Sequence, residues 1–111
     1  MLELADVVVC TLSNAVDASI LTSFQPNVLI YEESGKAPEA DTIGPLIQYQ
    51  TARATILIGD SRQLPPVVKS NMETTPFAQQ HAVSLMSRLA LVATVCTHSQ
   101  TSTVAIRQSA T

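Results

Sequence analysis

Two short clusters hold the residue types that could do chemistry. Glu32 and Glu33 follow the apolar run Val28-Leu29-Ile30-Tyr31, and Asp60 and Gln63 follow Thr55-Ile56-Leu57-Ile58-Gly59. Adjacent carboxylates suit a hard cation such as Mg²⁺, which takes one or two carboxylates and keeps several waters, while the second acid can orient an attacking water. Gly59 permits a tight exit, Asp60 and Gln63 can hydrogen-bond a phosphate-bound water or the neighbouring acids, and Pro65 and Pro66 fix the chain beyond. Two acids after a strand are also what an ordinary solvated loop or the charged start of a helix looks like. The longer string Gly59-Asp60-Ser61-Arg62-Gln63-Leu64-Pro65-Pro66 is the more particular signal.

These clusters need a scaffold that brings their strand ends together. Val7 to Cys10, Val28 to Tyr31 and Thr55 to Ile58 are β-branched runs with consecutive apolar positions, the pattern of parallel strands buried on both faces. The intervening Ser13–Ser23 and Pro38–Gln50 segments are long enough for helical crossovers, giving an expected order β-α-β-α-β. Pro38 suits a first helical turn, Ala40, Ile43, Leu46 and Ile47 recur at helical spacing toward the sheet, and Pro45 should kink or split that helix. A third helix is expected from about Pro76 to Val92 on a stripe of Ala82, Leu85, Met86 and Leu89. In a parallel α/β sheet, ligands sit beyond the carboxyl ends of the strands, where both acidic clusters would emerge.

The 111 residues are one domain at most and bury a modest core. With 46% hydrophobic and 14% charged residues the chain reads as globular, not disordered. A net charge of −3 with six Lys and Arg offers no basic stripe, which excludes strong autonomous binding to RNA or DNA. Cys10 and Cys96 are isolated and read as buried, reduced thiols, with neither a zinc spacing nor a disulfide framework. No apolar run approaches the ~20 residues of a membrane span, and the first residues lack a signal-peptide pattern, so the expectation is an intracellular protein, cytoplasmic or nuclear, without membrane contact. His81 and His98 lack partners in sequence, and no serine sits in a nucleophile elbow. Beyond Val95 the Ser/Thr-rich tract lacks an apolar period and is expected to be a loose polar tail, residues 96–111.

Taken with their order and spacing, the motifs resemble those of superfamily 1 DNA/RNA helicases of the nonsense-decay and senataxin-like group. Gly59 to Pro66 resembles motif III, usually Gly-Asp-x-x-Gln-Leu-Pro-Pro; Glu32 to Asp41 resembles motif II, the Walker B segment; Ala5 to Ala15 resembles the strand and Thr-containing loop on the nucleic-acid side. The resemblance covers roughly residues 5 to 90 and implies a partial RecA-like parallel sheet of the P-loop NTPase type with flanking helices, assigned to residues 1–95. It implies Mg²⁺ and ATP as cofactors, with Glu32 as metal ligand, Glu33 polarising the attacking water, and Gln63 sensing the γ-phosphate with Asp60 beside it. Thr11 and Ser13 lie where the family's loop touches the sugar-phosphate backbone of RNA or DNA; capping of the following helix is an equal reading.

The departures are as specific. Glu32 stands where the family has Asp, and the extra methylene displaces a metal by about 1 Å, a change that costs on the order of 10²-fold in rate. These residues hold no Gly-x-x-x-x-Gly-Lys-Ser/Thr loop and no second motor domain, and at Cys96-Thr97-His98-Ser99-Gln100, where the family has a Gln-Tyr-Arg-Met segment, the match ends. Two readings follow: a piece of an ATP-dependent helicase completed by other segments of a longer product, or a non-catalytic remnant that is an interaction module or has no retained function.

Overall fold

The computed structural model describes residues 2–60, 62–69, 73–92, 96–98 and 101–107. Two β-branched runs form β1 (Val28–Tyr31) and β2 (Ala54–Gly59), paired in parallel with Tyr31 opposite Leu57. Their parallel sense follows from the connection between them, which carries a helix, α3 (Glu39–Gln48), as a crossover demands. The fold is thus α/β and corresponds to part of a RecA-like domain.

Several elements differ from the sequence expectation. Val7 to Cys10 lies outside the sheet, with Val7 and Val9 76% and 93% exposed. The run leads into α1 (Leu12–Ala15), which is pinned to the end of α3 because the Tyr49 hydroxyl donates to the Ala15 carbonyl at 2.8 Å. The first crossover is two short helices, α1 and α2 (Ala18–Ser23), because the Asp17 carboxylate accepts from the Ser19 N–H at 2.8 Å and starts a new helix.

Pro38 is the cap residue of α3, just outside its first turn, and Pro45 is accommodated inside the helix, buried against the body of the protein. Of the expected α3 stripe, Ile43 and Leu46 pack on the core, whereas Ala40 is exposed and Ile47 is 58% exposed. Thr42, Pro45 and Tyr49 are buried in their place. The third helix is likewise two, α4 (Ala78–His81) and α5 (Leu85–Ala90), and the Ser84 hydroxyl accepts from the Ser87 N–H at 3.1 Å to cap the second.

The core joins Tyr31 and Leu57 from the sheet to Leu85 and Met86 from α5, flanked by Leu12, Leu29, Ile43, Leu46 and Leu89. It covers one face of the sheet. Thr55, Leu57 and Gly59 alternate with partly exposed residues along β2, and Val28 and Ile30 stay 46% and 62% exposed, so neither strand is buried on both faces as its apolar run suggests. The C-terminal stretch expected to be a loose tail instead contains β3 (Cys96–His98) and β4 (Thr101–Arg107). β4 runs antiparallel to β2, with Ala54 opposite Arg107, and β3 pairs with β4, giving the order β1-β2-β4-β3.

Candidate functional site

Because β1 and β2 run in parallel, their carboxyl ends open on the same side, and the two acidic clusters are brought together there. A buried serine locks the junction. The Ser34 N–H donates to the Ile58 carbonyl at 2.9 Å, and its hydroxyl donates to the same carbonyl at 2.8 Å and lies 3.1 Å from Met86 Sδ. The turn after β1 is thereby stitched to the last residues of β2 and to the core. The approach is too close for any larger residue at position 59: a Cβ on Gly59 would lie 2.8 Å from the Gly35 nitrogen and 3.0 Å from Met86 Sδ. A Cβ on Gly35 would in turn lie 3.2 Å from the Asp60 carbonyl oxygen.

On this base Glu32 projects from the strand end, exposed, and has no ion pair among the described residues. Glu33 adopts a left-handed backbone conformation with φ 54, and its carboxylate pairs with Lys36 Nζ at 2.8 Å. A non-glycine residue held there carries strain of ~1 kcal/mol or more. The turn that aims Glu33 is maintained by the bonds of Ser34 to the end of β2, by the close approach of Gly35 to Asp60, and by the Lys36 N–H donating to the Glu33 carbonyl at 2.9 Å.

Asp60 is held by the chain that follows it. Its carboxylate accepts from the Arg62 N–H at 2.9 Å and from Arg62 Nε at 3.2 Å. These bonds, the backbone one foremost, lower its pKa from the ordinary carboxylate range, and a hydrogen bond from the Gln63 side chain adds in the same direction. Gln63 is exposed and sits over Asp60, its own N–H donating to the Asp60 carbonyl at 3.2 Å. Glu32, Glu33, Asp60 and Gln63 thus share one rim of the sheet. Thr11 and Ser13 are elsewhere, at α1: the Thr11 hydroxyl accepts from the Asn14 N–H at 3.3 Å as a helix cap, and Ser13 is an exposed residue within the helix.

The donor chemistry suits Mg²⁺ only in its minimal form. No group of three or more His, Cys, Asp or Glu that could hold a metal occurs among the described residues. Mg²⁺ requires no such cage, being bound elsewhere through one or two carboxylates plus phosphate oxygens and water, and the unpaired Glu32 carboxylate fits that role. Cys10, expected to be a buried thiol, is free and exposed.

Sequence reasoning did not identify Ser34, Met86 or Gly35 as the parts that fix the rim, since each acts across a long separation in the chain. It also missed the ion pair that ties α5 to the start of α3, in which Arg88 Nε donates to Glu39 Oε2 at 2.9 Å and the second guanidinium nitrogen to Oε1. Neither residue carries a local signal for the other.

Comparison with known proteins bears on the same segment. A sequence profile described as an AAA domain matches residues 1–71. The 3'-5' exoribonuclease HELZ2 of Homo sapiens is 39% identical over 69 residues, covering 62% of this chain and 2% of that protein. HELZ2 of Mus musculus is 35% identical over 92 residues, 77% of this chain and 3% of the relative. Helicase sen1 of Schizosaccharomyces pombe is 44% identical over 71 residues, 63% of this chain and 4% of the relative. The chain therefore spans only a few per cent of the length of these relatives. No solved structure matches. The profile covers well over half the chain, including both strand ends of the rim, and the chain belongs to the AAA domain family, with the sequence character of a superfamily 1 helicase segment.

Proposed function

We propose that this chain is the metal-side and phosphate-sensing portion of an ATP-driven superfamily 1 helicase motor, whose phosphate-cradling segment and second motor domain are supplied by other parts of a longer protein. The observation that carries the reading is the shared rim, with Glu32 and Glu33 at the end of β1 beside Asp60 and Gln63 at the end of parallel β2. In this reading Glu32 holds Mg²⁺ and Glu33 orients the attacking water once released from Lys36. Gln63, already resting on Asp60, is placed to convey the phosphate state to the chain that follows. ATP bound with Mg²⁺ would supply the free energy for movement on RNA or DNA. Thr11 and Ser13 would touch the nucleic-acid backbone, a role that requires Thr11 to exchange its capping bond for a phosphate contact. With a net charge of −3, nucleic-acid affinity from this chain alone is weak, and most of it would come from the rest of the motor.

A second reading, a non-catalytic interaction module, is favoured by the lack of any Gly-x-x-x-x-Gly-Lys-Ser/Thr loop within these residues. Calorimetry of ATP binding with and without Mg²⁺ separates the two. The motor reading expects binding that weakens when Mg²⁺ is withdrawn, and weaker Mg²⁺ dependence in Glu32→Gln than in Glu33→Gln. A folded chain that binds no nucleotide under either condition supports the module reading.

A further inference from the structure

The acids of the rim are held in unequal ways. Asp60 accepts from the Arg62 backbone N–H as well as from its guanidinium, so main chain and side chain tie the two together. Glu33 is held through its side chain by Lys36 Nζ at 2.8 Å, in a pair whose side chains are 50% and 66% exposed. A solvated pair of this kind is weak and exchanges partners readily. Glu32, beside it, has no ion pair among the described residues. Lys36 is fixed at its root and free at its tip. Its backbone N–H donates to the Glu33 carbonyl at 2.9 Å, and the preceding Ser34 and Gly35 press on the end of β2, where a Cβ on Gly35 would lie 3.2 Å from the Asp60 carbonyl oxygen. The stem of Lys36 therefore starts beside both acidic clusters, and its flexible four-carbon chain can carry the ammonium off Glu33 without moving the turn.

We propose that Lys36 is an exchangeable counter-ion of the rim: it neutralises Glu33 in the arrangement described and passes to a phosphate oxygen of the nucleotide when Mg²⁺ and ATP bind. The inference rests on the nucleotide site proposed above. Charge drives the exchange from two sides. Lys36 meets a competitor for Glu33 in a cation bound beside Glu32, and it gains in a polyphosphate an acceptor of higher charge than the carboxylate it leaves. Glu33 is then free to accept from a water molecule. Lys36 thereby links the two binding events, because it opposes a cation that comes alone and favours one that comes with phosphate.

The test uses the full chain, with Mn²⁺ as the probe for a cation alone and Mg²⁺-ATP as the probe for the nucleotide. Lys36→Met should bind Mn²⁺ about threefold more tightly, read by water proton relaxation, and Mg²⁺-ATP about fivefold more weakly, read by calorimetry. Lys36→Arg should stay within about twofold of the parent chain in both, since the charge is kept. Opposite signs are the mark of exchange, because a lysine that merely supports the turn would weaken both on removal. Lys36 and Lys69 are the two lysines of the chain, so ¹³C-methylation of their amines, with Lys69→Arg for assignment, gives a signal for each. Mg²⁺-ATP should shift the Lys36 signal and leave that of Lys69 in place. The proposal is overturned if Lys36→Met moves both affinities the same way or neither, or if the chain binds Mg²⁺-ATP while the Lys36 signal stays fixed; the nucleotide reading survives that last result. A folded chain that binds no Mg²⁺-ATP overturns the proposal and the nucleotide reading together.

Discussion

Glu33 is the residue where geometry and chemistry pull apart. Its left-handed backbone is unfavourable for a carboxylate side chain, and the stitching of Ser34 and Gly35 to β2, with the bonds from Lys36, keeps it there. Glu33→Gly should stabilise the fold by about 1 kcal/mol in urea titrations while removing the group proposed to orient water, a trade of stability against function. The buried hydroxyls of Tyr31 and Thr55 have no hydrogen-bond partner among the described residues. Tyr31→Phe and Thr55→Val should each therefore be neutral or stabilising by up to ~1 kcal/mol, whereas a hydroxyl in a hidden network would make both variants clearly less stable. The acid pair and the Asp60–Gln63 spacing were legible in the sequence because each follows a β-branched run within a few positions. The Ser34 anchor was not legible, because its partners Ile58 and Met86 are distant in the chain and serine has no pattern that announces burial.

At the scale of elements, the turn after β1 and the end of β2 form one unit held by backbone contact. Gly59→Ala should destabilise the protein by about 2 kcal/mol, because the added methyl meets the Gly35 nitrogen, which is main chain and cannot swing aside. Ser84→Ala should cost about 1 kcal/mol through loss of the α5 cap, with thermal melting as the readout for both variants. The strands β1 and β2 could be read from sequence as runs of Val, Ile and Leu, but burial on both faces could not, since an apolar run is compatible with a sheet covered on one side only. Val7 to Cys10 is as continuously apolar as β1 yet lies outside the sheet; pairing is a property of the neighbour, which composition does not encode. The first crossover, expected to be helical from its length, and the third helix, expected from its periodicity, are each interrupted where Asp17 or Ser84 offers a side-chain oxygen to a free N–H, a local bond that competes with continuing the helix.

For the whole molecule, stability is bounded on both sides of the pH scale. Burial, aided by the charge of neighbouring Tyr49, pushes the Tyr31 hydroxyl from 10.0 up to about 12. A phenol whose folded-state pKa is raised contributes stability that is complete below about pH 10 and is lost as the pH climbs toward 12. Phenolate absorbance and loss of circular dichroism should accordingly rise together in that window, and the coincidence should disappear in Tyr31→Phe. On the acid side, hydrogen bonds from Ser19 to Asp17, and from Arg62 to Asp60, lower both carboxyl pKa values. Their contribution is present above the unfolded value of about 4 and fades as pH falls through the lower folded-state values. The fold class was readable from the two strand runs and their helical connection, whereas the antiparallel β4 was not, because its Ser/Thr-rich composition resembles a linker more than a sheet strand.

The pairing of β2 with β4 has a consequence for the order in which the chain is made. Ala54 waits for Arg107, roughly fifty residues later, before its second ladder can close. At a ribosomal rate of 5–20 residues per second that interval is about 3–10 s. During it β1 and β2 can pair through their nearer crossover, but β2 emerges as a temporary sheet margin bearing Ile56 and Ile58. A nascent chain paused before residue 101 would therefore present adhesive strands at both margins of a two-stranded sheet, and chaperone engagement should peak at that length and fall once Thr101–Arg107 has cleared the exit tunnel.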